Sequence, residues 1–515
     1  MEKVRCVEVD VRSTRGENTK IPLLCVSAAR AGLLLRRDHQ EHLKRAVREC
    51  GFRYLRFHGL FQKDLGVYRE TADGEAVYSW LYADQVYDFL LEIGLRPFVV
   101  FDFMPEALAG GEKTVYWERA NVSLPSSCEK WERLIFETVR HFTERYGRRE
   151  VEQWYFEVWN EPDNPPFFDG GFEDYCRLYR AAASAVKRVC ETYRVGGPAV
   201  AGRADWVEGL IRYCADNGVP IDFVSAHSYA SVPFAENGGT ACRVPGLPCW
   251  EPGPSWELGN QRYDPRGLTR AVEEIRAAVS RSPMPELAVR FTEWGLSWDY
   301  WDPLRDSYHA ASFLLSRLHE AAHGISSVSY CEVSDIFEED GPPTEEFHGG
   351  FGLLNAHGIR KPAYFAYRFL AQLGKTLVET RDSRSIACTE NGSLQVLFWD
   401  DSVRQDAENK AYYSAEHPAL PAGSVRVSAA GLSPGRYLLR AYAVGYERND
   451  TVTMYRRMRR GSSLTREQLA LLDSVSGGAP YAEQFLTVPE TDAPCVLWET
   501  QMRENDVFLL VVQPY

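Results

Sequence analysis

Short apolar runs alternate with longer amphipathic stretches along the chain, from about residue 20 to residue 365. The apolar runs predict strands at 21–27, 52–57, 96–101, 154–159, 196–201, 221–226, 287–292 and 326–331. Helical patterns between them include 40–50, 83–93, 131–146, 174–192, 267–280 and 308–323. Eight strands, each followed by a crossover with helical content, predict an α/β fold with a (β/α)₈ TIM barrel over residues 15–370. The alternative is a doubly wound open sheet, which usually has fewer units, and no G-x-G-x-x-G follows the first strand.

The pattern changes after about residue 375, where short runs alternate between apolar and polar positions. Strands are predicted at 393–399, 424–428, 436–446, 495–499 and 507–512, and one helix at 465–473. Residues 4–11 alternate in the same way, so they are predicted to join these strands. We therefore predict a β-sandwich accessory domain formed by residues 1–14 and 371–515, beside the barrel.

Two segments are predicted to be long loops inserted after barrel strands. Segment 231–264 is rich in Pro, Gly and Trp and follows the sixth strand, and segment 335–350 follows the eighth. Loops that follow the strands of a barrel lie on its carboxyl-terminal face, where active sites are built. Both loops are therefore expected on that face.

Composition and charge exclude several kinds of partner. The 515-residue chain has a formal net charge of −14, which argues against binding to nucleic acid or to an anionic membrane. It contains no apolar run long enough to span a membrane and no apolar segment of a secretory signal, so we expect a cytoplasmic protein. The 12 Cys are scattered without a C-x-x-C pair, a pattern that predicts neither a zinc site nor a disulfide framework.

The most informative segment is WYFEVWNEPD at residues 154–163, where an apolar strand runs directly into Asn-Glu-Pro. Pro162 ends the strand and leaves Glu161 at its carboxyl end, and Asn160 can donate a hydrogen bond to a ligand. A carboxyl group beside a desolvated pocket can serve as a general acid. Glu161 is therefore a candidate acid/base residue.

A second predicted strand ends in a carboxylate, in the segment VRFTEWG at residues 289–295 that contains Glu293. Glycoside hydrolysis generally uses two carboxyl groups, about 5–5.5 Å apart in retaining enzymes and about 6.5–9.5 Å apart in inverting ones. Glu161 and Glu293 end the predicted fourth and seventh strands, which face each other across the barrel mouth. A lone glutamate at a strand end is more often a solvated loop residue, but this pair predicts a glycosidase centre.

Further polar side chains stand at the ends of the second and sixth predicted strands. Arg56 and His58 end the second strand, where Arg56 could hold Glu293 ionised by charge and hydrogen bonding. His227 and Tyr229 end the sixth strand and could bind a sugar hydroxyl or orient the nucleophile. Each alone is more often structural, but their shared position makes them candidates for one site.

Motifs spread over most of the predicted barrel resemble the family 39 glycoside hydrolases of clan A, the family of β-xylosidases and α-L-iduronidases. They are RFHGLF at 56–61, DLGVY at 64–68, NEPD at 160–163, TEW at 292–294, SDIFEE at 334–339, FHGGFGLLN at 347–355 and KPAY at 361–364. The segments LTREQ at 464–468 and NDV at 505–507 also resemble the family's xylosidases.

The resemblance implies a retaining, exo-acting β-xylosidase that releases xylose from the non-reducing end of short xylo-oligosaccharides or xylosides. By motif, Glu161 would be the acid/base, Glu293 the nucleophile and Asn160 a contact to the sugar 2-hydroxyl. The terminal sugar subsite would be lined by His58, His227, Glu338 and Glu339, with Phe167 or Phe168 as its wall. The segment GLSW at 295–298 departs from the xylosidases, so Trp298 would form an altered edge of the subsite.

Other functions remain open from the sequence. An α-L-arabinosidase is stereochemically close, whereas an iduronidase-like enzyme would need a cationic partner for its uronic acid, against the acidic Glu338 and Glu339. A carbohydrate-binding protein without turnover is disfavoured because both glutamates are present. The expected partner is a small oligosaccharide or glycoside, and a homo-oligomer is open. No metal or organic cofactor is expected, because the sequence contains no cluster of His and Cys ligands.

Overall fold

The computed structural model describes residues 4–233, 261–321, 323–402, 409–458, 463–491 and 493–515. At its centre, eight parallel strands close into a barrel, which confirms the predicted fold and excludes the open sheet. The strands are β1 (Cys25–Arg30), β2 (Tyr54–His58), β3 (Arg96–Phe101), β4 (Tyr155–Val158), β5 (Arg194–Val200), β6 (Phe223–Tyr229), β7 (Ala288–Gly295) and β8 (Ser327–Tyr330). Pairing of β8 with β1 closes the ring.

A helix follows each barrel strand. The helices are α1 (Arg37–Cys50), α2 (Leu81–Glu92), α3 (Cys128–Tyr146), α4 (Phe172–Val189), α5 (Ala204–Asn217), α6 (Gly267–Arg281), α7 (His309–Ala321) and α8 (Pro362–Gln372). Their local sequences favour these limits. The helix α3 begins after Ser127, whose hydroxyl accepts from the Lys130 N–H at 3.2 Å, and α1 ends at Gly51, which adopts a left-handed φ of 68°.

The predicted start of the first barrel strand is wrong. The first strand was predicted from residue 21, but Ile21–Leu23 forms a single 3₁₀ turn and the strand begins at Cys25. The reason is Pro22, which lacks an N–H for a sheet ladder and is pre-set for the first turn of a helix. The apolar character of this segment therefore reflects packing against the barrel, not strand pairing.

The loops after the strands carry short hairpins. They are Tyr68–Glu70 with Ala76–Tyr78, Thr114–Val115 with Ala120–Asn121, and Ser231–Pro233 with Gln261–Tyr263. Most of the predicted insertion at 231–264 lies outside the described residues. The second predicted insertion, at 335–350, is described and contains no helix or strand.

A nine-stranded sheet forms the second domain. In spatial order its strands are Ala482–Val488, Gly435–Val444, Val507–Pro514, Ser393–Trp399, Ser385–Glu390, Thr376–Thr380, Arg5–Glu17, Pro421–Ala430 and Cys495–Arg503. Strands from both ends of this order contribute to one apolar cluster, so the sheet folds over its own core as in a sandwich. The helices Asn409–Ser414, Thr451–Met458 and Arg466–Val475 lie in its connections. None of the described helices is long and apolar enough to cross a bilayer.

Candidate active site

Glu161 and Glu293 lie at the carboxyl-terminal end of the barrel. Glu161 lies three residues beyond the end of β4, and Glu293 is the third residue from the carboxyl end of β7. Two residues of the β4 connection, Trp159 and Glu161, have left-handed φ values of 68° and 48°. Side chains rarely adopt this backbone region, so the surroundings must enforce it. The Glu161 N–H donates to the Ala199 carbonyl at 3.1 Å, which fixes the glutamate above the barrel.

The two carboxylates meet on either side of His227. The Nδ1 atom of His227 lies 2.8 Å from Oε1 of Glu161 and 3.6 Å from Oε2 of Glu293. One oxygen of each carboxylate and this nitrogen all lie within 4.8 Å of one another. An oxygen-to-oxygen distance within this limit is compatible with carboxyl groups about 5–5.5 Å apart, as in retaining glycosidases.

Glu293 is held in its ionised form. Its Oε1 accepts a hydrogen bond of 2.6 Å from Arg56, and its Oε2 accepts one of 2.7 Å from the Tyr229 hydroxyl. Burial by itself would raise the pKa of Glu293, but the charges of His227 and Arg56 and these two hydrogen bonds outweigh it and lower the pKa. An ionised carboxylate with one face open to the cleft is suited to act as a nucleophile.

Arg56 is a buried side chain that donates hydrogen bonds to several residues of the site. Its side chain is 1% exposed, and besides Glu293 it donates to Glu157 Oε2 at 2.7 Å and to Asn160 Oδ1 at 2.7 Å. Glu157 also accepts from the Thr292 hydroxyl at 2.9 Å. One guanidinium therefore links β2, β4 and β7 and orients both Asn160 and the second carboxylate.

Replacing Arg56 with methionine is expected to destabilise the fold by about 3–5 kcal/mol, because Glu157 would remain buried without its cation. The measurement is the free energy of unfolding in urea. Arg53→Met, at an exposed position one residue before β2, is the matched control and should change it by less than about 0.5 kcal/mol. Equal stability of the two variants would contradict the assigned role of Arg56.

Glu161 has a different environment from Glu293. Its Oε2 accepts from the Asn164 amide at 2.9 Å, its Oε1 contacts His227, and no arginine binds it among the described residues. Burial would lower the pKa of His227, but Glu293 and the hydrogen bond to Glu161 outweigh it and raise the pKa. Two carboxyl groups in unequal surroundings are the usual basis for dividing acid and nucleophile roles.

A second group of side chains lies beside this pair. His58 Nε2 is 2.7 Å from Oε1 of Glu339, and the Tyr300 hydroxyl donates to Oε2 of Glu339 at 3.1 Å. The His58 ring stacks on Tyr116 at 5.5 Å, and burial lowers the pKa of His58. Neutral imidazole, carboxylate and phenol together provide the donors and acceptors that sugar hydroxyls need.

The remaining predicted site residues have different surroundings. Glu338 is ion-paired with Arg36 at 2.5 Å and lies 3.8 Å from Arg30. Phe167 contacts the Tyr116 ring at 5.3 Å, which joins it to the His58 group. Phe168 instead packs against Trp159 and Tyr175 in the core, so Phe167 is the better candidate for the subsite wall.

Trp298 has no described link to the two glutamates. Its side chain is 38% exposed, and no described hydrogen bond or ring contact joins it to Glu161 or Glu293. Its position as an edge of the sugar subsite stays a prediction.

Several site residues were not predicted from the sequence. Glu157 and Glu332 are buried carboxyl groups beside the pair, and Tyr116 and Tyr300 complete the His58 group. A signal existed for Glu157, which is a charged residue inside the apolar run 154–159. Glu332 follows directly after the predicted eighth strand and could have been found by the same reasoning.

Glu161, His227 and Glu293 are also the one group of described His, Cys and acidic residues whose ligand atoms lie close enough to hold a metal ion. The two carboxylates of this group also accept hydrogen bonds from Arg56, Tyr229 and Asn164, a pattern that fits a two-carboxyl hydrolase. These contacts suit acid–base and nucleophilic chemistry of the side chains.

Comparison with known proteins points in the same direction. A sequence model described as "Glycosyl hydrolases family 39" matches residues 5–241 and 258–477. A β-xylosidase of Geobacillus stearothermophilus is 37% identical over 381 residues, which is 73% of this chain and 73% of that protein. The crystal structure of a GH39 enzyme from Xanthomonas axonopodis pv. citri superposes with a TM-score of 0.91 at 36% identity, over 100% of this chain and 98% of the other. A monomeric β-xylosidase from Caulobacter crescentus CB15 gives 0.90 at 34% identity, over 99% and 100%.

Proposed function

Since the chain belongs to the glycosyl hydrolases of family 39, we propose that it is a retaining, exo-acting β-xylosidase that releases xylose from short xylo-oligosaccharides or xylosides. Its general activity, hydrolysis of a glycosidic bond, follows from the family. The finer proposal is supported by relatives named as β-xylosidases and by the carboxylate pair, with one oxygen of each residue within 4.8 Å. This spacing is the observation that carries it.

The proposed reaction has two steps. Glu161 protonates the leaving oxygen while the ionised Glu293 attacks the anomeric carbon, so that the bond to the leaving group breaks and a glycosyl ester forms. Glu161, now ionised, removes a proton from water, which attacks the same carbon and releases Glu293. In this proposal Asn160, whose Oδ1 accepts a hydrogen bond from Arg56, binds the sugar hydroxyl next to the reacting carbon.

A neutral sugar suits this site better than a uronic acid. Glu338 and Glu339 supply carboxylates, and the nearest arginines, Arg30 and Arg36, are already paired with acidic side chains. A uronate would bring its own negative charge beside these carboxylates, and among the described residues the neighbouring arginines already have acidic partners. An arabinopyranoside differs from a xyloside only in hydroxyl orientation and remains the second candidate.

The direct test is hydrolysis of a panel of p-nitrophenyl glycosides: xyloside, arabinopyranoside, glucoside and iduronide. The xyloside is expected to give the highest kcat/KM, and proton NMR should detect the β anomer of xylose first, as retention requires. If the arabinopyranoside had the higher kcat/KM, the proposed substrate would be an arabinoside. The α anomer of xylose as first product would overturn the retaining mechanism. Binding of xylobiose without any release would support a non-catalytic sugar-binding protein.

Removal of the Tyr229 hydroxyl is expected to move the pH profile. Because its hydrogen bond helps to lower the pKa of Glu293, Tyr229→Phe should raise that pKa. Glu293 must be ionised to react, so the acidic limb of kcat/KM lies at the pKa of this residue and should shift to higher pH. The profile is measured from about pH 1.5 to pH 8, because the pKa of Glu293 is lowered to about 2. Tyr82→Phe, at an exposed site in α2, should leave the limb in place, and an unmoved limb in Tyr229→Phe would contradict the assignment.

A further inference from the structure

Glu332 is a buried carboxyl group beside the candidate active site that the proposed mechanism does not use. It is the second residue after β8 and is 3% exposed. Its Oε1 accepts a hydrogen bond from the Cys331 thiol at 3.1 Å, whereas its Oε2 is buried and has no hydrogen-bond partner among the described residues. A buried polar atom without a partner is rare in folded proteins and indicates a group that binds something else.

The surroundings of Glu332 place it among the residues of the candidate active site. Arg56, Glu293 and Glu339 are close enough to act on it electrostatically. Its neighbour Cys331 lies close to the Tyr229 side chain, which donates to Glu293. Glu332 is therefore near both the proposed nucleophile Glu293 and Glu339.

The backbone holds Glu332 firmly in this position. Its N–H donates to the Phe351 carbonyl at 3.0 Å, and its own carbonyl accepts from the Leu353 N–H at 3.0 Å. The side chain is thus presented from a fixed backbone at the barrel end, as substrate-binding groups must be.

Burial also determines the chemical form of this side chain. Desolvation, with the negative charges of Glu339 and Glu293, raises the pKa of Glu332 well above its usual range. A protonated carboxylic acid carries one O–H donor and keeps acceptor capacity, so it can pair with a sugar hydroxyl in either direction.

We propose that Glu332 binds the terminal sugar of the substrate by a hydrogen bond between Oε2 and one sugar hydroxyl, and that it thereby contributes to selection of a neutral glycone. The proposal rests on the proposed function. A uronate in the same place would bring a carboxylate beside Glu338 and Glu339, whereas a pentose hydroxyl gives the unpaired oxygen of Glu332 its missing partner.

Substitution at this position separates hydrogen bonding from packing. On p-nitrophenyl β-xyloside, Glu332→Ala is expected to lower kcat/KM by about ten- to a hundredfold, chiefly through KM. Glu332→Gln keeps the size, a donor and an acceptor, and should remain within about threefold of the wild type. Glu137→Ala is the matched control, because Glu137 is also a buried glutamate, 4% exposed, but lies in α3 and pairs with Arg133 and Arg140.

Deoxy substrates distinguish a sugar contact from a structural role. Aryl xylosides lacking the 2-, 3- or 4-hydroxyl are compared in the wild type and in Glu332→Ala. One of them should show no further loss in the variant, because its hydrogen bond is already missing. Equal losses on all substrates, or no loss on any, in an enzyme whose wild type cleaves xylosides would overturn the role of Glu332 alone. A wild type that cleaves no xyloside would overturn the proposed function as well.

Discussion

Replacing Glu293 with alanine is expected to lower kcat/KM for xylosides by about 10⁴- to 10⁶-fold, because no other described side chain can form the covalent intermediate. The vacated space lies beside Arg56 and Tyr229, whose donors would attract a small anion. Added azide should therefore attack the anomeric carbon from this side and give a glycosyl azide of inverted configuration. Steady-state kinetics and NMR of the product provide the measurement.

The matched control for this experiment is Glu286→Ala. Glu286 is an exposed glutamate just before β7, and its removal should leave kcat/KM unchanged. If Glu293→Ala turned over at the wild-type rate, Glu293 would not be the nucleophile and the two-step mechanism would fall.

The second large effect is expected for Glu161→Ala, and its size should depend on the leaving group. Without the proton donor, kcat/KM should fall by about 10²- to 10⁴-fold for xylobiose, whose sugar leaving group needs protonation. A p-nitrophenolate leaves without a proton, so its departure should be far less affected. Azide should then attack the glycosyl ester in place of activated water and give a product of retained configuration.

These two azide products have opposite anomeric configurations, so one NMR experiment assigns both roles. Glu191→Ala, an exposed glutamate after α4, is the control and should behave as the wild type with both substrates. The same loss on xylobiose and on the aryl xyloside would argue that Glu161 is structural and not the general acid.

The barrel and the carboxylate pair could be predicted because short segments of the sequence carry the signals for both. Each barrel strand is a short apolar run, and each glutamate follows or ends such a run within a few residues. The closure rule for eight parallel strands then brings strand ends from positions four and seven to one face. Pro22 favours a helical turn over a strand, and for this reason β1 begins later than predicted.

The rest of the site could not be predicted from local patterns. Glu157 and Glu161 are four residues apart in one segment, yet one is bound by Arg56 beneath the site and the other contacts His227 in the cleft. Phe167 and Phe168 are adjacent, but only Phe167 contacts the Tyr116 ring that stacks on His58. The backbone between Glu157 and Glu161 includes left-handed conformations at Trp159 and Glu161, which the residue types do not predict.

The sequence by itself determined the number of barrel units, the acids at their ends and the family. Only the tertiary structure decided which side chains form hydrogen bonds with each other. Arg56 donates to Glu157, Asn160 and Glu293, which lie 101 to 237 residues after it in the chain. Hydrogen bonds require their atoms to lie within a few tenths of an ångström of the right distance, and the closed ring of strands with its register sets that distance. Periodicity along the chain carries no information at that precision, so the charge state of each carboxyl group is a property of the folded barrel.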